Sequence, residues 1–456
     1  MKDRFGFDWT GIKGTHFWRN PHFSRRVFFR HAAAALSGYY LLPSRPMETV
    51  AKARVSPINM AKNCIFIHLA GAPSHIDTFD LKQGAWTPAF SNPTAYGDIR
   101  WPQGLMPKLA DQLDNIALVR SVRSWAAVHG LARDWLMIAR NPVPALSKIA
   151  PHIGSVAALE LGPKSPNRTM PPFMALNTGA TAGPGYLPPE FGPFFVNPGG
   201  GGLANTTHRD GQPAFERRYA LLEVLDSDAS KTTDLGPRLG ESATFLANAR
   251  KLMYNPAISQ AFSFDQNERN RYGNTAFGNA CITARNLLKL NMGTRFIQIT
   301  FGGWDHHANI YQPNAQLQNL TRQLDNALSV LISDLQSEAL LEHTLIVAMG
   351  EFGRTIGPLN AQNGRDHFLQ QAVLFAGARI RGNRTIGSTD EMGRTTAEPG
   401  WSRERDIRAE DIAATIYSAL GIDWTTIRRD DPFRRGFEYV PMAEQDLYGP
   451  VHELWG

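Results

Sequence analysis

Residues 64–69 read Cys-Ile-Phe-Ile-His-Leu, an apolar, β-branched and aromatic run cut off by Gly71 and Pro73. A run of that length with that ending predicts a buried strand. It empties into a loop of small residues that carries Ser74, His75, Asp77, Thr78 and Asp80. In an open α/β sheet, ligands bind beyond the carboxyl ends of the strands. A strand that delivers a carboxylate straight into such a loop therefore restricts the chain to folds whose strand ends gather at one site. The motif returns twice. The run 295–301 ends in Gly302-Gly303-Trp304-Asp305-His306-His307, and 344–349 ends in Gly350-Glu351-Phe352-Gly353-Arg354.

Between these runs lie further strands and helices. Strands are predicted over 115–120, 172–177 and 372–376, each with an apolar centre. Helices are predicted over 105–113, 124–140, 155–161, 217–225, 241–252, 276–290, 316–341 and 410–420, from 3.6-residue spacing and from stops such as Asn141-Pro142 and Gly421. Residues 83–103, rich in Pro, Asn and Trp, read as loop. Residues 179–202 are dense in Gly and Pro but offer neither Lys nor a following helix. They read as a surface excursion rather than a phosphate loop. Strands alternating with helices give an α/β class with a largely parallel sheet.

A chain of 456 residues can bury a large core, and its formal charge of +6 is small for that length. The arginines are scattered, which argues against a nucleic-acid stripe. Two cysteines without a C-x-x-C motif exclude a zinc ribbon and a disulfide framework. Near the start, Ser24-Arg25-Arg26-Val27-Phe28-Phe29-Arg30 is a twin-arginine pattern. A short apolar run follows at 32–42, and a small-x-small site at Ala51-Lys52-Ala53. Residues 1–53 are thus expected to be a signal peptide of the twin-arginine type, the alternative being a basic amphipathic helix. The protein is then expected in the periplasm or outside the cell. Its domain would span 54–456, with a helical and loop insert at about 179–290. No later stretch has the length and apolarity of a membrane span.

Four stations place acids and histidines just past a strand or in an adjoining loop: His75/Asp77/Asp80, Asp305/His306/His307, Glu351, and Asp366/His367. Carboxylate oxygens suit hard divalent cations, and imidazole suits zinc, iron or manganese. A mixed set gathered from several strand ends is how hydrolytic metal sites are built. The alternative is a carboxylate–histidine–arginine network that pins loops. Arg120, Arg354 and Arg365 stand beside the same stations and suit phosphate or sulfate oxygens, unless each is simply paired with a neighbouring Asp. The nucleophile stays open among Ser121, Ser124, Thr78 and His129.

The blocks Gly71-Ala-Pro-Ser-His-Ile-Asp-Thr-Phe-Asp80, Arg120-Ser121, His129-Gly130, Arg271-Tyr-Gly273, Gly302-Gly-Trp-Asp-His-His307, Gly350-Glu-Phe-Gly-Arg-Thr355 and Gly364-Arg-Asp-His367 resemble the signatures of the DUF1501 family. Its members are exported bacterial proteins often described as sulfatase-like. The ending Asp411-Ile-Ala-Ala-Thr415 and Leu420-Gly421-Ile422 is similar to the alkaline phosphatase superfamily. The resemblance implies a three-layer α/β sandwich with a largely parallel central sheet and helices on both faces. It also implies a divalent metal (zinc, manganese or calcium) that binds phosphate or sulfate esters. By position it makes Asp77, Asp305, His307, Glu351 and His367 the metal ligands. His129, Ser121, Arg354 and Arg120 become the catalytic group. Phe352 stands where the superfamily has a ligand histidine, which reduces two metals toward one. His306 replaces a usual Thr, and no Cys stands at the nucleophile position. The expected function is a secreted metal-dependent hydrolase acting on a small-molecule or glycan phosphate or sulfate ester. The alternative is a non-catalytic binding or assembly protein that keeps the core.

Overall fold

In the computed structural model the described residues are 55–456, apart from 180, 233–245 and 313–315. The twin-arginine leader expected at 1–53 lies outside them. Eight strands form one sheet: β1 (Asn63–His68), β2 (Ile116–Arg123), β3 (Phe173–Leu176), β4 (Phe194–Val196), β5 (Phe296–Thr300), β6 (Thr344–Met349), β7 (Gln370–Gly377) and β8 (Arg384–Ile386), in the order β8-β2-β7-β6-β1-β5-β3-β4. β1 pairs in parallel with β5 and β6, β3 with β4 and β5, and β8 with β2, whereas β7 is antiparallel to both β2 and β6. The sheet is thus parallel except for β7.

Alternation along each strand divides the apolar residues between two cores, as a period of two requires. Ile65 and Ile67 of β1, Ile297 and Ile299 of β5, and Ile346 and Ala348 of β6 face one core. Helices α4 (Ala276–Leu290) and α5 (Gln316–Ser337) close it with residues such as Phe277, Leu287, Leu324 and Leu331. Cys64 and Phe66, Phe296, Leu345 and Val347 face the other core. It is closed by the end of α1 (His129–Ile138), by α2 (Ile153–Leu161) and by α6 (Ala409–Ala419). The architecture is three layers, helix–sheet–helix. The stretch 179–290 contains the edge strand β4, the long α3 (Gly211–Thr232), largely exposed over 217–225, and α4, which belongs to the first core.

Two differences from the sequence expectation have plain causes. Residues 83–103 are not all loop: Pro93–Tyr96 and Ile99–Pro102 form a hairpin. Its two-residue loop is Gly97-Asp98, with Gly97 at φ +56°, which is a hairpin turn signal. The two prolines sit at the open ends of the ribbon, where a missing N–H is tolerated. The edge strands β4 and β8, three residues each, are too short for a periodic signal.

Because β2, β5, β6 and β1 run the same way, their carboxyl ends share one rim of the sheet. Because β7 runs against them, the segment leading into β7 reaches that rim as well.

Candidate metal centre

Four elements deliver the site. Asp305 and His307 follow β5. The loop carrying them crosses Gly71 so closely that a Cβ there would lie 2.6 Å from the Asp305 amide nitrogen, and Gly71 holds φ +99°. His129 is the first residue of α1, which follows β2. Glu351 lies two residues past β6. His367 lies on a two-stranded ribbon, Gly353–Arg354 with His367–Phe368, which places it opposite Arg354 and three residues before β7. Gly364 lets this last segment lie against His307: a Cβ there would lie 2.0 Å from the His307 carbonyl carbon.

The result is a convergence of His129, Asp305, His307 and His367, one donor atom from each lying within 4.8 Å of the others. Asp305 Oδ1 is 2.9 Å from His307 Nε2, 3.3 Å from His129 Nε2 and 3.6 Å from His367 Nε2. Each imidazole is tied down by its other nitrogen. His129 Nδ1 meets Glu351 Oε1 at 2.5 Å, His307 Nδ1 meets Asp366 Oδ1 at 2.8 Å, and His367 Nδ1 meets the Ala127 carbonyl at 2.8 Å. These partners only accept, so Nδ1 is assigned the proton in all three rings and Nε2 presents a lone pair to the centre. His307 Nε2 and His367 Nε2 are 3.0 Å apart, and the buried His129 Nε2 has no hydrogen-bond partner. Arg354 relieves part of the repulsion among these donors, through Asp305 Oδ1 and with its Nη1 3.4 Å from His307 Nε2, and a cation among the Nε2 atoms would relieve the rest. The donor set, with its carboxylate and carbonyl supports behind, therefore fits a divalent transition metal.

The family model described as Protein of unknown function (DUF1501) matches residues 61–431. The chain belongs to the DUF1501 family. No curated protein matches it. Similar solved structures include Ps i-CgsB, at 13% identity over 87% of this chain and 78% of that one, with TM-score 0.42. The PsFucS1 sulfatase from Pseudoalteromonas sp. is 14% identical over 81% and 68%, with TM-score 0.38. A protein in the alkaline phosphatase superfamily from Vibrio parahaemolyticus is 11% identical over 81% and 69%, with TM-score 0.35.

In this DUF1501 chain the other residues singled out by sequence fall into two groups. The first stands directly behind the cluster. Burial alone would raise the Glu351 carboxyl, but hydrogen bonds from His129 and His68 outweigh it and hold the group far below the usual carboxylate range. Glu351 also accepts from the Gly71 amide at 3.1 Å, so its oxygens are engaged from behind the cluster. Its bond to His129 raises that imidazole above the ordinary histidine range. Arg354 is fully buried. It donates to the carbonyls of Gly71, Ala72 and Arg365 and to Asp305 Oδ1, the last at 2.5 Å. Burial pushes the Asp305 carboxyl up, and Arg354 more than reverses this. Phe352 is buried against the rings of His129 and His367, each 4.7 Å away.

The second group lies outside the cluster. The Asp77 carboxylate is taken by Arg365 Nε at 2.8 Å and by the hydroxyls of Ser74 and Tyr311 at 2.5 Å each. Asp80 holds Thr389, Lys82 and Arg120, so Arg120 is spent on Asp80 and on the Asp98 carbonyl. The Ser121 hydroxyl donates to the Pro399 carbonyl, that of Ser124 to the Glu351 carbonyl, and that of Thr78 to the Ser74 carbonyl. His75 is buried and stacks on Phe368. His306 is buried and both its ring nitrogens lack partners; burial pushes it down to about 4. One supporting residue, His68, escapes the sequence reading altogether, and Asp366, named there at a station, is given no role of its own. Asp366 is visible there as the acid before His367, but nothing marks a histidine inside an apolar strand.

Proposed function

We propose that this protein is a hydrolase of phosphate or sulfate esters that works with one divalent cation held by His129, Asp305, His307 and His367. One observation carries the reading: three Nε2 lone pairs and a carboxylate converge, and every imidazole is oriented by an acceptor on its far nitrogen. Three imidazoles and one carboxylate suit zinc or manganese better than calcium, which takes oxygen ligands. A single ion is favoured because Asp77 is already neutralised by Arg365 and because Phe352 fills the space beside His129 and His367. Such an ion supplies Lewis acidity toward an ester oxygen.

The chain's own residues support an anionic substrate. Arg354 is buried beside the cluster and paired with Asp305, so it offsets the one carboxylate there and keeps the site from repelling an anion. α1 starts at His129 without a side-chain cap, so its first amide groups are left for ligand oxygens. The cluster is open to solvent, with Asp305 48% and His307 44% exposed. The hydroxyls of Ser121, Ser124 and Thr78 are all engaged elsewhere. The reading therefore takes water as the nucleophile: its oxygen bonds to phosphorus or sulfur, and the alcohol departs with a proton. The twin-arginine pattern at 24–30 supports export, which would put the ester outside the cytoplasm.

A second reading, a binding or assembly protein with an inert site, has an observation of its own: the single carboxylate of the cluster is already paired with Arg354. Metal analysis of the purified protein, followed by turnover of aryl phosphate and aryl sulfate, separates the two. One equivalent of zinc or manganese with turnover is expected. Metal without turnover supports the second reading, and protein that takes up no zinc, manganese or calcium overturns the metal centre.

A further inference from the structure

β1 is buried along its whole length. Its last residue, His68, puts an imidazole in the centre of a parallel sheet. A buried polar ring there is unfavourable unless it is partnered. Its Nε2 lies 3.2 Å from Glu351 Oε2, and both side chains are 3% exposed. The pairing follows from register: His68 stands opposite Met349 on β6, two residues before Glu351. Glu351 Oε1 is held by His129 Nδ1 and the Gly71 amide, and Oε2 by His68. Three donors, two from β1 and the loop it enters and one from α1, thus fix one carboxylate, and that carboxylate fixes the ring of His129.

We infer that His68 is a positioning residue of the metal centre: it locks Glu351, which in turn aims His129 Nε2 at the cation. The inference rests on the metal reading above and adds a residue to it. His68 touches neither the cation nor substrate. It acts two hydrogen bonds away, by denying Glu351 the rotation that would let the His129 ring turn. Without it, Oε2 loses its partner in a buried place, and the carboxylate can swing toward whatever donor remains.

The test uses the full protein with His68→Phe, which keeps a ring but cannot donate, and His68→Gln, which restores an N–H. Zinc affinity is measured by chelator competition, and the cobalt(II) ligand-field spectrum reports the coordination shell. Loss of such a support typically weakens metal binding about 10- to 100-fold. H68F is expected to bind zinc about tenfold more weakly or worse and to alter the cobalt spectrum, with H68Q returning both toward wild type. In a Glu351→Ala background H68F should cost less than about twofold more, because the two residues act as one chain. Wild-type affinity in H68F, or an undiminished loss in the E351A background, overturns the inference. Should H68F not fold, Gln and Asn at the position settle it. The longer amide keeps affinity and the shorter loses it, and equal values overturn the assignment. A readout without metal separates this inference from the reading beneath it. Imidazole ¹⁵N spectra should show His129 as a fixed Nδ1–H tautomer in wild type and as a mixture in H68F. If wild type binds no metal yet shows that change, the metal reading fails and the positioning stands. If the tautomer is unmoved, the positioning fails.

Discussion

Replacing Arg354 by lysine should destabilise the protein while keeping its charge. The guanidinium is 0% exposed and spends Nε on the Ala72 carbonyl at 2.9 Å, Nη1 on the Arg365 carbonyl at 3.1 Å, and Nη2 on both the Gly71 carbonyl and Asp305. A lysine has one nitrogen at one point, and it cannot span acceptors that surround a planar fork. At least two of the four acceptors lose their donor. Hydrogen bonds from a charged donor contribute about 1.5–3 kcal/mol each, and a buried acceptor left bare costs a similar amount. Relaxation and the retained charge argue for the lower end, so R354K should lose about 3–4 kcal/mol. That is a large share of a typical total stability of about 5–15 kcal/mol. Urea unfolding reads this as a lower midpoint at unchanged slope. Because Asp305 also loses the partner that depresses it, its carboxyl should titrate closer to the ordinary range, as carbonyl ¹³C spectra would show. An unfolding free energy within about 0.5 kcal/mol of wild type would refute the claim that Arg354 knots Gly71, Ala72, Arg365 and Asp305 together.

Asp77→Ala should leave zinc affinity within about twofold of wild type yet cost about 3–5 kcal/mol in urea, because it strands the buried Arg365 guanidinium; a lost zinc site with normal stability would make Asp77 a ligand instead of a brace for Arg365. Zinc at a hundred times its dissociation constant should add about 2.7 kcal/mol of stability at pH 8. That gain should fade as pH falls, with proton competition at His129 beginning above the ordinary histidine range because Glu351 raises its pKa; calorimetric midpoints at several pH values check both statements. Asp325, buried under the start of the 107–110 helix, is pushed up to about 6 by burial. Its folded pKa thus lies above the unfolded value of about 3.9. Its ionisation therefore opposes folding above pH 6, and stability from this group returns as pH drops from about 6 to 4. D325N keeps an acceptor for the Leu109 amide and should be about 1–2 kcal/mol more stable than wild type at pH 7 but not at pH 4; equal unfolding midpoints at pH 7 would contradict this.

Much of the frame is legible in the chain because a short apolar run with an abrupt glycine end fits little besides a buried strand. Sequence bounds β6 at Thr344 and Met349, as observed, and β1 to within a residue at each end. The four residues that meet, His129, Asp305, His307 and His367, are all among the sequence candidates. What the chain hides is the company each charge keeps. Asp77 and Glu351 look alike in sequence as acids past strand ends, yet one meets Arg365 and the other His129 and His68. That choice depends on which loops cross, and here it turns on contacts as close as Gly71 against Asp305. The direction of β7 is equally hidden. Its residues 372–376 are as apolar as those of a parallel strand, and only its neighbours β2 and β6 set its sense.

That reversed strand also dictates when the centre can exist. β2 and β5 lead to their share of the cluster as they leave the sheet, but β7 brings His367 as it arrives, and it must then slot between β2 and β6, which were synthesised earlier. Until that wedge is driven home, three donors stand without their fourth. On the metal reading, the full donor set is complete only once β7 has closed the sheet, so tight cation capture should report that closure.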